Sequence, residues 1–319
     1  MEITTVAIIG GSGFVGRHIC HRLAGAGYRV RVATRDRERA KDKLIFLPTV
    51  EVESVNPGDP QQLAGFIRGA DAVINLVGVL HERSGAGSFQ AAHVELTRNV
   101  VAACRETGVR RLLHMSALHA DRNGPSHYLR SKGEAEDIVR ESGLAWTVFR
   151  PSVIFGQGDS FLNLFAELLR FAPVVFLACP KARFQPVFVE DVAVAFAKSL
   201  EDIETAGKGY DLCGPKVYSL QELVEFVGTI TGRPRPVIGL SDRLSYWQAF
   251  AMEMLPLKMM TRDNYYSMRV DSVCDCAFPF GIEPTALEAV APAFLAQRTP
   301  RRRYQLMRSR ARRSERLRA

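Results

Sequence analysis

The sequence lacks several features that would point to particular classes of protein. Its longest apolar run, residues 171–179, is about half the length of a membrane-spanning helix, so we expect no transmembrane segment. The six cysteines lack zinc spacing, and their mostly apolar neighbours are typical of reduced thiols packed in a core. The chain starts without a charged and apolar signal segment. These absences predict a cytoplasmic protein that binds no metal.

Net charge is almost absent from the body of the chain. The formal charge is +8, but residues 299–319 contain nine arginines and one glutamate, and removing them leaves 33 basic and 33 acidic residues. Because the body is neutral and no nucleic-acid-binding motif is present, we expect no nucleic-acid partner. The basic segment 301–318 suits contact with an anionic membrane or a membrane complex. A solvated, partly disordered tail is the alternative.

What the sequence does contain, as far as about residue 150, is a regular alternation of short apolar runs with amphipathic stretches. The apolar runs predict buried strands at residues 6–9, 30–33, 72–77, 111–115 and 146–149. The stretches between them have helical spacing at residues 14–25, 62–68, 89–107 and 128–141. This alternation predicts an α/β protein with a doubly wound parallel sheet of the Rossmann type.

The second half of the chain predicts a smaller C-terminal α/β lobe. We expect a dinucleotide-binding domain at residues 1–155 with contributions from 184–215, a substrate or lid lobe mainly at 156–298, and the tail at 299–319. Ser219 and Glu222 have the spacing of a helix capping box. Residues 244–262 are rich in methionine and aromatic residues, which predicts a lobe-packing helix. An apolar substrate surface or a membrane-facing surface is the alternative.

A glycine triplet follows the first predicted strand. Gly10, Gly13 and Gly16 stand in "VAIIGGSGFVGRHI", between a buried strand and a helix. Glycines at this spacing allow the tight turn, the close approach of backbone to a pyrophosphate and the packing of helix on strand. The backbone N–H groups at the start of the helix would hold the phosphates, which adds to the predicted site the neighbouring residues Ser12, Phe14 and Val15.

The end of the second predicted strand bears on the choice of dinucleotide. The strand ends in Thr34 and Arg35, and Asp36 follows. An arginine at this place favours NADP(H), because its guanidinium forms a charge-assisted pair with the 2′-phosphate. If Arg35 faces solvent and Asp36 points into the site, NAD(H) is favoured instead.

A tyrosine and a lysine four residues apart predict a site for proton transfer. Tyr128 and Lys132 share one face of a helix. The ammonium group would favour the phenolate and lower the pKa of the tyrosine. Ser116 closes the preceding strand, where its hydroxyl would hold a carbonyl or alcohol oxygen. Together the three residues predict a hydride-transfer site.

These motifs, in this order and spacing, resemble the atypical or extended branch of the short-chain dehydrogenase/reductase superfamily, which includes NAD-dependent epimerases and dehydratases. The resemblance covers roughly residues 4–290 and includes "NLVG" and "RPSVIFG". The segments "YLRSKGEAE", "FRPSVIFGQGDSFLN", "PVFVEDVA" and "TRDNYYSM" are more narrowly similar to the group related to the NADPH-binding accessory subunit of respiratory complex I.

The resemblance implies further cofactor contacts. It places at the adenosine side Leu76, Val77 and Gly78; beside adenine, Asn56 and Pro57; and at the carboxamide, the backbone of Pro151 and Ser152. The lysine would also bind the cofactor ribose. Around Asn56 the chain reads "NPGD" where the superfamily has Asp-Val-x-Asp, so only Asp59 is retained.

Three functions remain open at this point. The first is an NADP(H)-dependent oxidoreductase, or an epimerase that oxidises its substrate transiently, acting on an unknown and lipophilic small molecule through the serine, tyrosine and lysine. The second is a protein that binds NADPH without turnover and serves as a structural or assembly factor of a respiratory or membrane complex. The third is a regulator that senses the NADP(H) redox ratio.

Overall fold

The computed structural model describes residues 3–44, 47–80, 82, 87–255 and 260–296. Its centre is a parallel sheet of seven strands formed by β1 (Thr5–Ile9), β2 (Arg29–Thr34), β3 (Val50–Ser54), β4 (Ala72–Asn75), β5 (Arg111–Met115), β6 (Ala145–Pro151) and β11 (Lys208–Leu212). The strand order is β11-β6-β5-β4-β1-β2-β3. The predicted α/β class and doubly wound parallel sheet are confirmed.

Helices cover both faces of this sheet. They are α1 (Phe14–Gly25), α2 (Arg37–Leu44), α3 (Pro60–Ile67), α4 (Leu96–Thr107), α5 (His127–Arg140) and α7 (Val189–Glu201). Successive residues of β1 alternate between two core clusters, since Ile8 packs with α1 and α7 whereas Ile9 packs with α3 and α4. Because both faces are buried, the central strands read as continuous apolar runs.

β3, a strand at the edge of the sheet, was not predicted from the sequence. Its sequence VEVES is only partly buried and carries two glutamates. Glu53 pairs with Arg31 of β2 at 2.8 Å. An edge strand with charged side chains lacks the apolar run by which the central strands were recognised.

The C-terminal lobe lies on a third apolar cluster, which includes Phe155, Leu169, Leu223 and Leu295. Its elements are β7 (Ile154–Phe155), α6 (Phe161–Phe171), β8 (Val175–Leu177), β9 (Arg183–Phe184), β10 (Val187–Phe188), β12 (Tyr218–Ser219), α8 (Leu220–Ile230), β13 (Val237–Gly239), α9 (Asp242–Glu253), α10 (Arg262–Ser267) and α11 (Leu287–Leu295). The predicted small α/β lobe is confirmed, and the predicted capping box is present at the start of α8.

Two of the cysteines do not match the prediction of reduced thiols. Cys213 and Cys274 form a disulfide between residues 61 positions apart. Cys213 directly follows β11, and the segment that carries Cys274 is held nearby because the Cys274 N–H donates to Gln185 Oε1 (3.0 Å). The sequence did not indicate this proximity because it depends on how the C-terminal lobe folds back over the sheet.

The structure bears less directly on two further predictions, the absence of a transmembrane segment and the basic tail. In the described ranges, no helix has the length and apolar character needed to cross a bilayer. The predicted basic tail at 299–319 lies outside the described residues.

Candidate functional site

The glycine loop lies between β1 and α1, at the carboxyl edge of the sheet. Gly10 has a left-handed backbone (φ 86°), and the Gly13 N–H donates to its carbonyl oxygen at 3.0 Å. A Cβ at Gly16 would overlap the backbone of Gly10 and Gly11. Gly10 therefore needs the conformational freedom of glycine, and Gly16 needs its lack of a side chain.

The first turn of α1 is open to an anion. Gly13 occupies the N-cap position and supplies no side-chain cap, so the N–H groups at the start of the helix have no side-chain acceptor. Ser12 and Phe14 are half-buried beside this turn, and Val15 is buried. Arg17 adds a guanidinium that lies 5.5 Å from the Phe14 ring centre and donates to Gln157 O. The positive end of the helix dipole and this arginine suit a pyrophosphate.

The end of β2 leaves the choice of dinucleotide open. Thr34 is buried, and its hydroxyl accepts from the Asp36 N–H at 3.2 Å, which fixes the turn. Both Arg35 and Asp36 have exposed side chains. The geometry therefore provides a cation and an anion at the same turn and does not by itself select NADP(H) or NAD(H).

The segment after β3 is a turn that caps α3. Asn56 Oδ1 accepts from the Gly58 N–H (3.2 Å), and Asp59 Oδ1 accepts from the N–H groups of Gln61 and Gln62. The Asp59 carboxylate is thus engaged in capping, which explains its presence without a nucleotide contact. Asn56 is exposed and Pro57 half-buried at the same edge of the sheet, where they stay predicted adenine neighbours.

The loop after β4 runs directly beneath the glycine loop. The Leu76 N–H donates to Ile9 O (2.9 Å), and the Val77 N–H donates to Asn75 Oδ1 (3.2 Å). A Cβ on Gly10 would lie 3.3 Å from the Leu76 and Val77 backbone. At Gly78, a Cβ would lie 3.0 Å from Lys132 Nζ, so the structure brings this loop against the predicted lysine.

Lys132 is buried between this loop and the end of β5. Its Nζ donates to Met115 O at 3.1 Å, and the side chain is only 3% exposed. Burial lowers the pKa of Lys132 to about 8, because the charged ammonium loses its hydration. The residue is thus placed next to Ser116, which follows Met115 in the chain.

Tyr128 stands one helical turn before Lys132 and does not have the lowered pKa that the sequence predicted. Burial raises the pKa of Tyr128 to about 12. Its ring packs edge-on against Phe89 and His93, with ring centres 5.9 and 5.7 Å away. Loss of hydration on burial disfavours the phenolate, so the phenol is protonated at neutral pH.

Ser116 supplies a hydroxyl that the protein itself does not use. Its N–H donates to Phe149 O (2.8 Å), which fixes the backbone, and its side chain is buried. The Oγ has no hydrogen-bond partner among the described residues. A buried hydroxyl without a partner is costly, and a substrate oxygen would satisfy it.

His93 connects three parts of the site and was not singled out from the sequence. Its Nε2 accepts from the Val79 N–H (3.0 Å), and its Nδ1 lies 2.8 Å from Ser131 Oγ, which in turn donates to Tyr128 O (2.9 Å). These partners require a neutral ring protonated on Nδ1. Burial and then the Lys132 charge lower the pKa of His93 to about 2, so the ring stays neutral.

A π-helical turn at Gln90–Glu95 places His93 in this position. One turn later, the Thr97 hydroxyl accepts from Asn75 Nδ2 (3.3 Å), which also donates to His114 Nδ1 (3.3 Å). The π-helical turn and the start of α4 therefore carry His93 and Thr97, which join the end of β4 and the loop after it through hydrogen bonds.

The C-terminal lobe caps the helix that carries Tyr128. Asp263, at the start of α10, accepts from the N–H groups of His127 (2.6 Å) and Tyr128 (3.2 Å). Ser267 Oγ donates to Ser126 Oγ at 2.8 Å. The segment "TRDNYYSM" thus fixes the start of α5, a contact that spans more than 130 positions of the chain.

The predicted carboxamide contacts are already engaged within the protein. Pro151 O accepts from the Leu118 N–H (3.1 Å), and the Ser152 N–H donates to Leu212 O (2.9 Å). The Ser152 hydroxyl donates to Ser272 O at 2.7 Å. A carboxamide contact by the backbone of Pro151 and Ser152 stays a prediction.

Residues 10–160 match a protein-family model described as NAD(P)H-binding. The chain is 29% identical over 294 residues to mitochondrial NADH dehydrogenase (ubiquinone) 1 alpha subcomplex subunit 9 of Mus musculus, a match that covers 88% of this chain and 77% of that protein. The chain thus contains an NAD(P)H-binding domain and is related to complex I subunits, as the sequence predicted.

Reductases also match this chain, over different lengths. A ceramide reductase of Caulobacter vibrioides is 34% identical over 201 residues, which is 61% of this chain and 61% of that protein. The Escherichia coli NADPH-dependent quinone oxidoreductase, solved with NADPH, shares the fold with a TM-score of 0.73 and 20% identity over 91% of this chain and 99% of that one. The chain thus has relatives among reductases and among complex I subunits.

Proposed function

We propose that the protein is an NADP(H)-dependent oxidoreductase that reduces a lipophilic carbonyl compound. The carrying observation is that Ser116 has a buried hydroxyl without a partner next to Met115 O, where Lys132 is bound. Tyr128 is on the same helix as the lysine. In this proposal Ser116 is the hydroxyl that binds the substrate oxygen, Tyr128 is the proton donor, and Lys132 is the cation that would bind the cofactor ribose.

The protonation state of Tyr128 supports reduction over the reverse direction. Since the pKa of Tyr128 is about 12, the phenol is a proton donor at neutral pH. Bound NADPH would supply the hydride to the carbonyl carbon. The carbonyl oxygen, held by Ser116, would take its proton from Tyr128, which is then reprotonated from solvent. An epimerase must first remove a proton from an alcohol, and for that step a phenol with a raised pKa is poorly suited.

The cofactor is proposed to be NADP(H), on the strength of exposed Arg35 at the end of β2. Substituting Arg35→Ala should reduce the preference for NADPH over NADH by about tenfold or more, because a charge-assisted pair with the 2′-phosphate is lost. Arg29→Ala, at the exposed opposite end of the same strand, is the control. Equal NADPH and NADH affinities in the unchanged protein would overturn this part of the proposal.

A lipophilic substrate is supported by the relationship to a protein named ceramide reductase and by the aromatic residues around α9 and α10. The test is to add long-chain keto compounds and quinones to the purified protein with NADPH and follow nicotinamide absorbance. Tyr128→Phe should lower turnover by about 10²–10⁴-fold and leave NADPH affinity unchanged. If NADPH stays bound and unoxidised with every compound, the enzyme proposal fails.

The second candidate is a structural NADPH-binding subunit or assembly factor of a membrane complex. It is favoured by the match to a complex I subunit over 88% of this chain. The two candidates differ in how Tyr128→Phe affects cells. If Tyr128→Phe abolishes the function that the protein serves in the cell, the enzyme is supported. If that function survives Tyr128→Phe but is lost in Gly16→Ala, which weakens NADPH binding, the structural role is supported.

We further propose a cytoplasmic protein whose basic tail, residues 301–318, contacts the anionic inner face of a membrane. A chain that ends at Pro300 should then float less with anionic vesicles than the full chain. Equal flotation of the two chains would overturn the role of the tail.

A further inference from the structure

An exposed apolar stripe runs along α9. Leu244 and Trp247 lie on one side of the helix, and Met254 and Leu255 continue that side beyond its end. Trp247 is 63% exposed and Met254 75% exposed. The opposite side is anchored in the lobe through buried Ala249. Large side chains at this spacing that face solvent are not explained by packing within the chain.

A second exposed apolar pair stands on the small sheet beside α9. Phe176 of β8 and Ile238 of β13 are direct neighbours in the parallel register. Val175 and Leu177, on either side of Phe176, are buried in the lobe core, so Phe176 and Ile238 point outward. Both are about half exposed or more.

The stripe and the pair form one rigid surface. Gln248 Nε2, on α9, donates to Phe176 O at 2.8 Å, and Ser245 Oγ accepts from the Cys179 N–H at 3.0 Å. α9 is therefore fixed against β8. We call the surface formed by the exposed side chains the α9–β8 surface; its members are Leu244, Trp247, Met254, Leu255, Phe176 and Ile238.

Charges of both signs lie near this surface, but the acidic residues of α9 are engaged: Asp242 accepts from the Tyr265 hydroxyl (2.9 Å), and Glu253 pairs with Arg262 (2.8 Å). Arg235 precedes β13 and Arg243 lies in α9; both are exposed, and neither forms an ion pair with any residue in the described ranges. The chain leaves the same lobe after α11 towards the nine arginines of the tail. A second copy docked by two-fold symmetry would bring these cations together, whereas an anionic bilayer would complement them.

We propose that the α9–β8 surface docks into the interface of an anionic lipid bilayer. Tryptophan, phenylalanine and leucine enter the boundary between headgroups and acyl chains, and the arginines contact the headgroups. The apolar surface supplies the insertion, and the tail supplies electrostatic attraction. This inference rests on the proposed membrane location but does not depend on the proposed reaction.

The docked lobe is connected to the candidate site. α9 packs against α10 through Tyr246 and Tyr265, whose ring centres are 5.5 Å apart. Asp263 of α10 caps the helix that carries Tyr128. A bilayer on the α9–β8 surface would therefore contact the same lobe that caps the helix carrying Tyr128, which suits a substrate drawn from the membrane.

Tryptophan fluorescence tests the insertion directly, because the chain has two tryptophans. Trp146 lies in β6 against Arg140, and Trp247 lies in the proposed interface. With vesicles of phosphatidylcholine and phosphatidylserine, we expect a blue shift and quenching by brominated acyl chains. Both signals should be lost in Trp247→Phe. Signals that persist in Trp247→Phe, or that are absent in the full chain, would overturn insertion at this surface.

Matched charge substitutions test the contribution to binding. Phe176→Glu with Trp247→Glu should weaken vesicle binding by about tenfold or more, whereas Ile203→Glu, at an exposed apolar residue of the other domain, should leave it unchanged. NADPH binding, which does not involve these residues, should be retained in all variants and shows that they are folded.

Salt separates the two membrane contacts. Binding by a chain that ends at Pro300 should be weaker and less sensitive to salt than binding by the full chain, and binding in the double-glutamate variant should be abolished by salt. If the double-glutamate variant instead dissociates a dimer and binds vesicles like the full chain, the surface is a contact between copies and the proposal is wrong. Vesicle binding can fail while NADPH oxidation is retained, and the reverse, so the outcomes for docking and for the reaction remain distinct.

Discussion

Replacing Lys132 by methionine should make the free protein more stable while it weakens nucleotide binding. The lysine is buried and its charge is compensated by a single carbonyl, Met115 O. Its pKa falls from 10.5 to about 8, and at about 1.4 kcal/mol per unit this corresponds to a cost of about 3 kcal/mol for keeping the ammonium charged at pH 7. The variant also loses the hydrogen bond to Met115 O, which lowers its free energy of unfolding by about 1 kcal/mol. Lys132→Met should therefore raise the free energy of unfolding by about 2 kcal/mol at pH 7.

The stability difference between the unchanged protein and Lys132→Met should depend on pH, and the lowered pKa of Lys132 sets its direction. A lysine whose pKa is lowered by folding binds fewer protons in the folded state than in the unfolded state between about pH 8 and pH 10.5. The stability of the unchanged protein should therefore rise through this window relative to the variant. The advantage of Lys132→Met is complete below pH 8 and shrinks as the pH approaches 10.5.

Denaturant unfolding of the nucleotide-free protein at several pH values measures both effects. Lys208→Met, at an exposed lysine of β11, is the control and should change little at any pH. NADPH titration should show weaker binding for Lys132→Met, because the proposed ribose contact is removed. A variant that is less stable at pH 7, or a stability difference that does not shrink with rising pH, would refute the account of a charge buried at a cost.

Three further substitutions test separate parts of the structure. Gly16→Ala should abolish NADPH binding in titrations because its Cβ would overlap backbone, whereas Gly25→Ala in the same helix, where a Cβ meets nothing within 4 Å, should bind normally. Glu136→Gln should cost about 3 kcal/mol in denaturant unfolding, since it leaves two arginines facing a neutral partner. Burial acts to raise the pKa of Glu136, but its arginines lower it overall, so the stability difference should begin to shrink as the pH falls below the usual carboxylate pKa and should vanish only below the lowered pKa of the folded state. Asp263→Ala should lower stability by about 1 kcal/mol and reduce turnover by Tyr128 without weakening NADPH binding, and Asp263→Asn should restore most of both.

The sequence predicted the central strands and the glycine loop well because their physical signals are local. α1 has the predicted bounds, 14–25, since a glycine triplet precedes it and its apolar spacing is regular. β3 was missed because an edge strand keeps its charged residues. The pairing of β11 with β6 depends on a return of the chain after the lobe begins, which no local pattern specifies.

Only those residues of the candidate site that come soon after the end of a predicted strand along the chain could be predicted from the sequence. Ser116 directly follows β5, and Tyr128 and Lys132 lie in the next helix, α5, from which Lys132 Nζ reaches Met115 O at the end of β5. His93 and Asp263 could not be predicted in this way, since their partners are fixed by a π-helical turn and by a contact between lobes. The acidity of Tyr128 was also unpredictable, because it depends on burial against Phe89 and His93, which spacing along the chain does not reveal.

The late arrival of β11 and Asp263 in the chain has a consequence for synthesis. When the ribosome has released residues up to about 160, β6 still has an unpaired edge, and the start of α5 has its local Ser126 cap but not yet its contacts with Asp263. An unpaired strand edge is a hazard for aggregation until its partner emerges. The nucleotide-binding half therefore finishes folding only after more than a hundred further residues, including α10, have been translated. A nascent chain arrested before α10 should remain sensitive to protease in its N-terminal half.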